Sequence, residues 1–431
     1  MYDVIIVGAR CAGAPLAMLL AREGHRVALV DRASFPSDTM STHFLWPRGV
    51  AKLASWGLVD RLSQRGCEPI RQVIFDVGAV QLVGTAPPVE GVSDSLCPRR
   101  TVLDALLVEA AVDAGAELID RFVVSDLCWA DGRVSGLRGH QRGSRSGVTT
   151  LSSSLVVGAD GLHSTVADQV MAPTYCEHAA TTCVYYSYWS GIADRAASFH
   201  ARPGQLVLVW PTNDDLTRIY VAWPASQYQA VKADVEGAFV SALTTVPELA
   251  EKAAAGRREH RFVGTRELPN RYRTSAGPGW ALVGDAGHHK DPSTGMGISD
   301  AFLSADLLAQ SITGSLDDPC RLDEALVGYQ KRRDALTANG FHLTLSTARL
   351  DGLAPRLEEF YRAAAVQPQA VSRVFGVLGG TTPVRDVYSA EQIGATIDAA
   401  NGTEGHSAIP RGLRRDSTPR PRQDGDVDIT Q

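Results

Sequence analysis

The opening stretch of the chain restricts its architecture more than any other part. Val4-Ile5-Ile6-Val7 is a continuous apolar run, as a parallel strand buried on both faces requires. Ala12 to Glu23 carries strong helix formers and Gly24 closes that helix as a C-cap, after which Val27 to Val30 is a second buried strand ending on Asp31 and Arg32. Between strand and helix stands Gly8-Ala9-Arg10-Cys11-Ala12-Gly13. A helix start in that position offers unpaired N–H groups and a partial positive charge, which suits a pyrophosphate. Gly8 permits the tight turn, Gly13 lets helix and strand pack closely, and Asp31 stands where an acid bonds an adenosine ribose. The middle glycine of this type of turn is replaced by Arg10, whose side chain either crowds the phosphates or contacts them.

Two later segments extend the pattern. Val157-Gly158-Ala159-Asp160-Gly161 ends a buried strand, and Gly284-Asp285-Ala286-Gly287-His288 follows the apolar Trp280 to Val283 and precedes Pro292 and Gly295-Met296-Gly297-Ile298. With these three segments in this order, residues 1 to 330 resemble the FAD-dependent monooxygenases of the para-hydroxybenzoate-hydroxylase type, which share a fold with geranylgeranyl reductases and flavin-dependent halogenases. The resemblance implies FAD held by Gly8, Arg10, Cys11, Ala12, Gly13, Asp31 and Arg32, and by Asp160 and Gly161, whose segment resembles an Asp-Gly signature linked to both FAD and nicotinamide binding. Arg100, which heads a helix, reaches the flavin side chain or pyrophosphate by the same resemblance, and Asp285 bonds the ribityl chain. The segment from Pro292 through Gly295, Met296 and Gly297 to Ile298 then lies along the isoalloxazine ring. A helix starting near Ile298 would aim its positive end at the ring's pyrimidine edge, where negative charge gathers on reduction. The middle motif departs from the family where Ser164-Thr165-Val166-Ala167 has alanine for the usual arginine, which bears on how a nicotinamide docks.

In such chemistry NADPH or NADH reduces FAD, oxygen forms a flavin hydroperoxide, and the protein supplies position, dryness and control of protonation. His43, in Ser41-Thr42-His43, is the candidate catalytic residue, since an imidazole titrates near working pH; a hydrogen-bonded histidine without chemical role is the alternative. The expected activity is insertion of one oxygen atom into an aromatic or polyketide-like small molecule. A reductase or dehydrogenase on the same fold and a flavin-binding redox sensor are the alternatives. Halogenation ranks below these, because the Trp-x-Trp-x-x-Pro motif is missing.

The expected fold class is α/β, a Rossmann-like FAD-binding domain with an inserted antiparallel-sheet substrate domain and a mostly helical C-terminal region. The divisions are 1–70, 98–175 and 265–330 for the cofactor domain, and 71–97 and 176–264 for the sheet domain. Residues 331–400 form the helical region, and 401–431, arginine-rich among Pro, Asp and Gly, form an expected disordered tail. One helix is expected from Arg48 to Ser63 and another from Thr101 to Ala114. Tyr186, Tyr188, Trp210 and Trp223 lie in the aromatic sheet segment, either lining a pocket or filling a core. A chain of 431 residues accommodates several packed units. Its net charge of −6 argues against nucleic acid as a partner. The seven cysteines include no Cys-x-x-Cys pair, so reduced thiols and no metal site are expected. No apolar run approaches the roughly 20 residues of a membrane span. With no signal segment before the first strand, a cytoplasmic protein without integral membrane association is expected.

Overall fold

The computed structural model describes residues 1–143 and 147–404; the expected tail lies almost wholly outside the described residues. The chain begins β1 (Tyr2–Val7), α1 (Gly13–Arg22), β2 (Val27–Val30). Next come α2 (Pro47–Ser55) and α3 (Val59–Ser63), which correct the single helix expected across 48–63. The break has a local cause. Gly57 takes φ +77° and returns its N–H to the Ala54 carbonyl, while Leu58 bonds Leu53, a glycine stop that ends the first helix. A hairpin, β3 (Val73–Asp76) and β4 (Gln81–Gly84), precedes α4 (Arg100–Asp113) and β5 (Glu117–Ile119). An antiparallel meander, β6 (Phe122–Ala130), β7 (Arg133–Gln141) and β8 (Thr149–Gly158), leads through α5 (Thr165–Gln169) to β9 (Thr174–His178).

Four strands follow, β10 (Thr182–Ser190), β11 (Ala197–Arg202), β12 (Gln205–Pro211) and β13 (Thr217–Pro224), then α6 (Tyr228–Ala233), α7 (Val235–Leu243) and α8 (Pro247–Ala255). Short strands β14 (Arg257–Arg258), β15 (Val263–Thr265), β16 (Asn270–Arg273), β17 (Ala276–Gly277), β18 (Trp280–Leu282) and β19 (His288–His289) bring the chain back. The rest is helical: α9 (Gly297–Ile312), α10 (Pro319–Thr347), α11 (Pro355–Ala365), α12 (Pro368–Leu378), α13 (Arg385–Tyr388) and α14 (Ala390–Glu404).

The first sheet runs β17-β18-β8-β1-β2-β5, with β1 parallel to β2 and β8, and β18 parallel to β8. Alternation splits β1 between two cores. Val4 and Ile6 join the layer of α1, α4 and α9, while Ile5 and Val7 face the β6–β7 side. The second sheet runs β14-β10-β13-β12-β11-β3-β4 with β15 beside β10; it is antiparallel except where β11 lies parallel to β3. It too is buried on both faces. Even-numbered Val184, Tyr186, Tyr188, Trp210 and Tyr220 pack with Phe44, Trp46 and Met296, and with C-terminal residues such as Phe375. Odd-numbered Cys183, Trp189, Val207 and Trp223 pack under α7 and α8. Of the four aromatics singled out in the sequence, three therefore lie on the seam toward the first sheet's loops, and Trp223 lies on the opposite face.

Candidate functional site

The three glycine-bearing segments meet at the start of α1. Gly8 ends β1 with φ +106°, and a Cβ there would stand 2.4 Å from the Ala159 carbonyl oxygen and 2.9 Å from the Asp160 nitrogen. At Gly13 a Cβ would fall 1.8 Å from the Gly8 oxygen, so only glycine lets the helix start so close to the strand end. Gly284, φ +58°, brings the third segment in, where its Cβ would lie 2.9 Å from that of Ala12. The helix start has no side-chain cap and no acidic residue in its first turn, which leaves its positive end available to an anion. Asp31 braces the turn from β2, accepting from the Ala9 amide through Oδ2 and from the Ala33 amide through Oδ1, both at 2.7 Å. Each oxygen keeps a lone pair for a further donor. Arg32 is exposed on the loop beyond.

Arg10 is committed to partners outside the turn. Its Nη1 pairs with Asp104 at 2.5 Å and its Nη2 donates to Ser37 Oγ at 2.9 Å, with Phe35 beneath the guanidinium. Asp104, fully buried on α4, also takes Arg100 Nε at 2.9 Å and Cys11 Sγ at 3.3 Å. Burial is the largest influence on Arg100 and opposes its charge, but Asp104 beside it and the other groups around it, Asp285 among them, together hold its pKa above the ordinary value. Burial pushes the Cys11 thiol up, so Cys11 stays protonated. Asp160 also serves its own chain. Its carboxylate takes Ser164 Oγ at 2.5 Å and the Val166 amide at 3.2 Å, while Ser164 caps α5. Gly161, φ +82°, has nothing within reach of an added Cβ.

Asp285 is the exposed member of its segment, on the wall of a cleft of about 330 Å³ shared with His288, Lys290, Gly297 and Arg333. Its charge is felt by Arg100 and by Arg271, whose Nη2 donates to the Leu162 carbonyl. Arg271 was not among the residues expected from the sequence. A lone arginine in a four-residue strand carries no motif, and only the β9–β16–β19 sheet brings it to the Asp160 segment.

Beyond this, Asp291 caps the turn Pro292–Thr294 through the Ser293 amide at 2.9 Å, and Gly295 reverses the chain with φ +67°. An added Cβ at Gly295 would meet Phe44 at 3.4 Å and Trp210 at 3.7 Å, so this loop abuts the seam with the second sheet. Helix α9 then begins at Gly297 with no side-chain cap, and Lys290 pairs with its Asp300 at 2.5 Å. Met296 is buried and Ile298 is 5% exposed. A second cleft of about 640 Å³ runs from Met296 and Asp300 past Arg48 to Gly380 and Val384.

His43 occupies the seam at φ +67°, a left-handed conformation uncommon for a residue with a side chain. It is fully enclosed, with Nε2 2.5 Å from Tyr188 Oη and Nδ1 without a hydrogen-bond partner among the described residues. Burial first, then the cations Arg218, Arg100 and Arg99, hold its pKa well below 6.5, so the ring is neutral. Arg218 on β13, likewise not singled out from the sequence, anchors this segment through the Thr42 and Ser41 carbonyls at 3.0 and 2.7 Å. Its signal was an arginine inside the otherwise apolar Thr217–Pro224 run, in which all but the last residue are buried. No group of histidine, cysteine and acidic side chains suited to a metal ion occurs among the described residues, and the seven cysteines are unpaired. No helix among the described residues is long and apolar enough to cross a membrane.

The donor set fits a dinucleotide: an uncapped helix start beside glycines that admit no Cβ, an acid at Asp31 whose oxygens can each accept a further bond, and an exposed carboxylate at Asp285. Comparisons agree with that chemistry. The chain is 25% identical over 346 residues to the digeranylgeranylglycerophospholipid reductase of Methanothrix thermoacetophila, covering 77% of this chain and 82% of that protein. It is 26% identical over 311 residues to the 6-methylpretetramide 4-monooxygenase of Streptomyces rimosus, covering 70% and 73% respectively. In fold it is similar to the flavin-dependent brominase Bmp2, with a TM-score of 0.74 at 16% identity over 94% of this chain and all of that one. The family model described as FAD binding domain matches residues 1–338, and the protein belongs to that family of FAD-dependent oxidoreductases.

Proposed function

We propose that the protein is an NAD(P)H-dependent monooxygenase that places one oxygen atom from O2 into an aromatic or polyketide-like small molecule. When bound, FAD supplies the electron transfer from nicotinamide and the activation of oxygen. The chain's own residues do the rest. Gly8 to Gly13, Asp31 and Asp285 hold the cofactor, and the uncapped start of α9 offers amides to negative charge at the ring edge. The observation that carries the reading is the seam. Phe44, Trp46, Tyr186, Tyr188 and Trp210 are each 3% exposed or less, and Tyr186 and Tyr188 lie 6.0 Å from the ring of a neutral histidine that is bonded to Tyr188. Such a site excludes water and favours a flat apolar substrate. In the tautomer where Tyr188 Oη donates to His43 Nε2, the ring proton stands on Nδ1, which has no hydrogen-bond partner among the described residues and can move to or from a substrate. The monooxygenase among the relatives supports this reading.

The likeness to an archaeal lipid reductase favours a second reading, hydride transfer without oxygen. Turnover of the holoenzyme with NADPH and a panel of phenols and aromatic acids under 18O2, followed by mass spectrometry, separates the two. One labelled oxygen in the product is expected. Sustained NADPH oxidation that yields a reduced, unlabelled product would overturn the monooxygenase assignment.

A further inference from the structure

No aromatic residue lines the second cleft, whose volume is about 640 Å³. In this it differs from the seam. Its walls come from the start of α2, the start of α9, the middle of α10 and the turn that joins α12 to α13. Met296, Leu336, Val377 and Val384 give it an aliphatic lining. Leu336 is 43% exposed on that wall, although α10 buries Leu322, Leu326 and Phe341. A concave aliphatic wall with an uncovered leucine is surface that a small apolar molecule can cover.

One cation on the same wall is unmatched. Arg48 is half-buried in the first turn of α2, where the positive end of the helix disfavours a cation and no acid stands to offset it. Burial pushes its pKa down, and Asp300 acts weakly in its favour, being paired itself with Lys290 at 2.5 Å. Arg48 forms no ion pair among the described residues, and its one hydrogen bond there is a long one, 3.3 Å to the Gly380 carbonyl. A guanidinium offers a fork of donors, and most of this one is unused. Thr381 and Thr382, which follow Gly380, add hydroxyls to the same cleft. A half-buried charge without a counter-ion is costly, and an anionic ligand would remove that cost.

We propose that this cleft is a second ligand site that binds a small aliphatic acid, with its carboxylate on the Arg48 guanidinium and its chain along Met296, Leu336, Val377 and Val384. The site is separate from the aromatic seam and does not rest on the monooxygenase reading. A carboxylate meets a guanidinium as a planar, two-pronged pair, and a single anion balances the single unmatched cation of this wall. The site also adjoins the cofactor cleft. Lys290, on the wall shared with Asp285, pairs with Asp300 and donates to Met296 Sδ at 3.4 Å, and both of those residues line the acid's cleft. A bound acid therefore touches Met296, the residue from which α9 starts.

The test is calorimetric titration of the FAD-loaded protein with octanoate and, separately, with octanamide. Octanoate is expected to bind ~10-fold or more tighter than the amide, the scale of a hydrogen bond to a charged group. In Arg48→Gln that preference should vanish with FAD content unchanged, and in Arg48→Lys it should persist in weaker form. Leu336→Asp provides a variant at an exposed position, where folding is not at stake; its added charge should weaken octanoate more than octanamide. Equal binding of acid and amide by the unaltered protein overturns the proposal, and so does an absence of octanoate binding. A preference that survives Arg48→Gln intact would put the carboxylate on another cation and overturns it as well. Octanoate binding that Leu336→Asp leaves untouched does the same for the chain's place in the cleft.

Discussion

At Asp285 the site turns on one exposed carboxylate in a buried neighbourhood. Its flanking residues Gly284 and Ala286 are buried, so the side chain is displayed toward the cleft and not spent on the fold. Asp285→Ala is therefore expected to leave thermal stability nearly unchanged while weakening FAD binding by ~10-fold or more, as loss of charge-assisted hydrogen bonds to ribityl hydroxyls would. Unaltered FAD content after dialysis would refute a cofactor role for Asp285. Arg10 makes the opposite case. It breaks the glycine pattern of the turn, and its guanidinium is committed to Asp104 and Ser37. Arg10→Gly restores the pattern but leaves Asp104 with Arg100 as its only cation among the described residues, both buried. A loss of about 1–3 kcal/mol in stability is expected, since a partly exposed arm of a buried ionic cluster is removed. FAD affinity should hold; a large drop in affinity would instead give the side chain a phosphate-binding role.

At the scale of elements, the proposed function asks most of the start of α9. Its first turn has no side-chain cap, and an added Cβ at Gly297 would meet nothing within 4 Å. A side chain is accommodated there, so Gly297→Asp sets a negative charge against those amides without removing a backbone donor. If those amides stabilise the reduced ring, the midpoint potential of bound FAD should fall in the variant while far-UV helicity and FAD content stay the same. A redox titration with a reference dye reads this directly, and an unchanged potential would remove α9 from the electrostatic account. The same helix marks what was legible beforehand. Gly8, Gly13, Gly284 and Gly295 announce themselves because backbone geometry demands glycine there, and Asp285 is legible beside Gly284. Arg218 and Arg271 do not, because their meaning comes from strands that pair residues far apart in sequence: Tyr188 opposite Arg218, and Arg271 between β9 and β19. The α2–α3 break was hidden for a related reason, since a glycine in a helical pattern reads as tolerated until its φ is known.

Over the whole molecule, the α/β architecture and the second sheet were readable from apolar runs and aromatic density. The seam between them was not, because both faces of β10 to β13 are buried and alternation alone cannot say which face meets the cofactor side. That seam and the adjoining cleft also set the protein's response to acid. His43 and His288 are both buried, and burial followed by neighbouring cations (Arg218, Arg100 and Arg99 for the first, Lys290 and Arg333 for the second) holds both well below 6.5. In the unfolded chain each titrates near its ordinary value, so below that pH the unfolded state binds more protons than the folded one. Stability is then complete above about pH 6.5 and lost as pH falls, by up to about 1.4 kcal/mol per pH unit for each histidine. Lowering the pH from about 6.5 to about 5.5 should thus cost about 2 kcal/mol from the pair together. Asp76 and Asp3, held low by their partners, add to the loss only below about 3.8. Asp160 and Asp291, raised chiefly by burial, work the other way and offset part of it. Urea unfolding across this range should show the slope in the unaltered protein and a flatter one in the double variant His43→Gln, His288→Gln. Equal slopes in both would mean that these histidines are reached by solvent and protonated in the folded state, and that the seam is not the dry enclosure on which the proposed oxygenation depends.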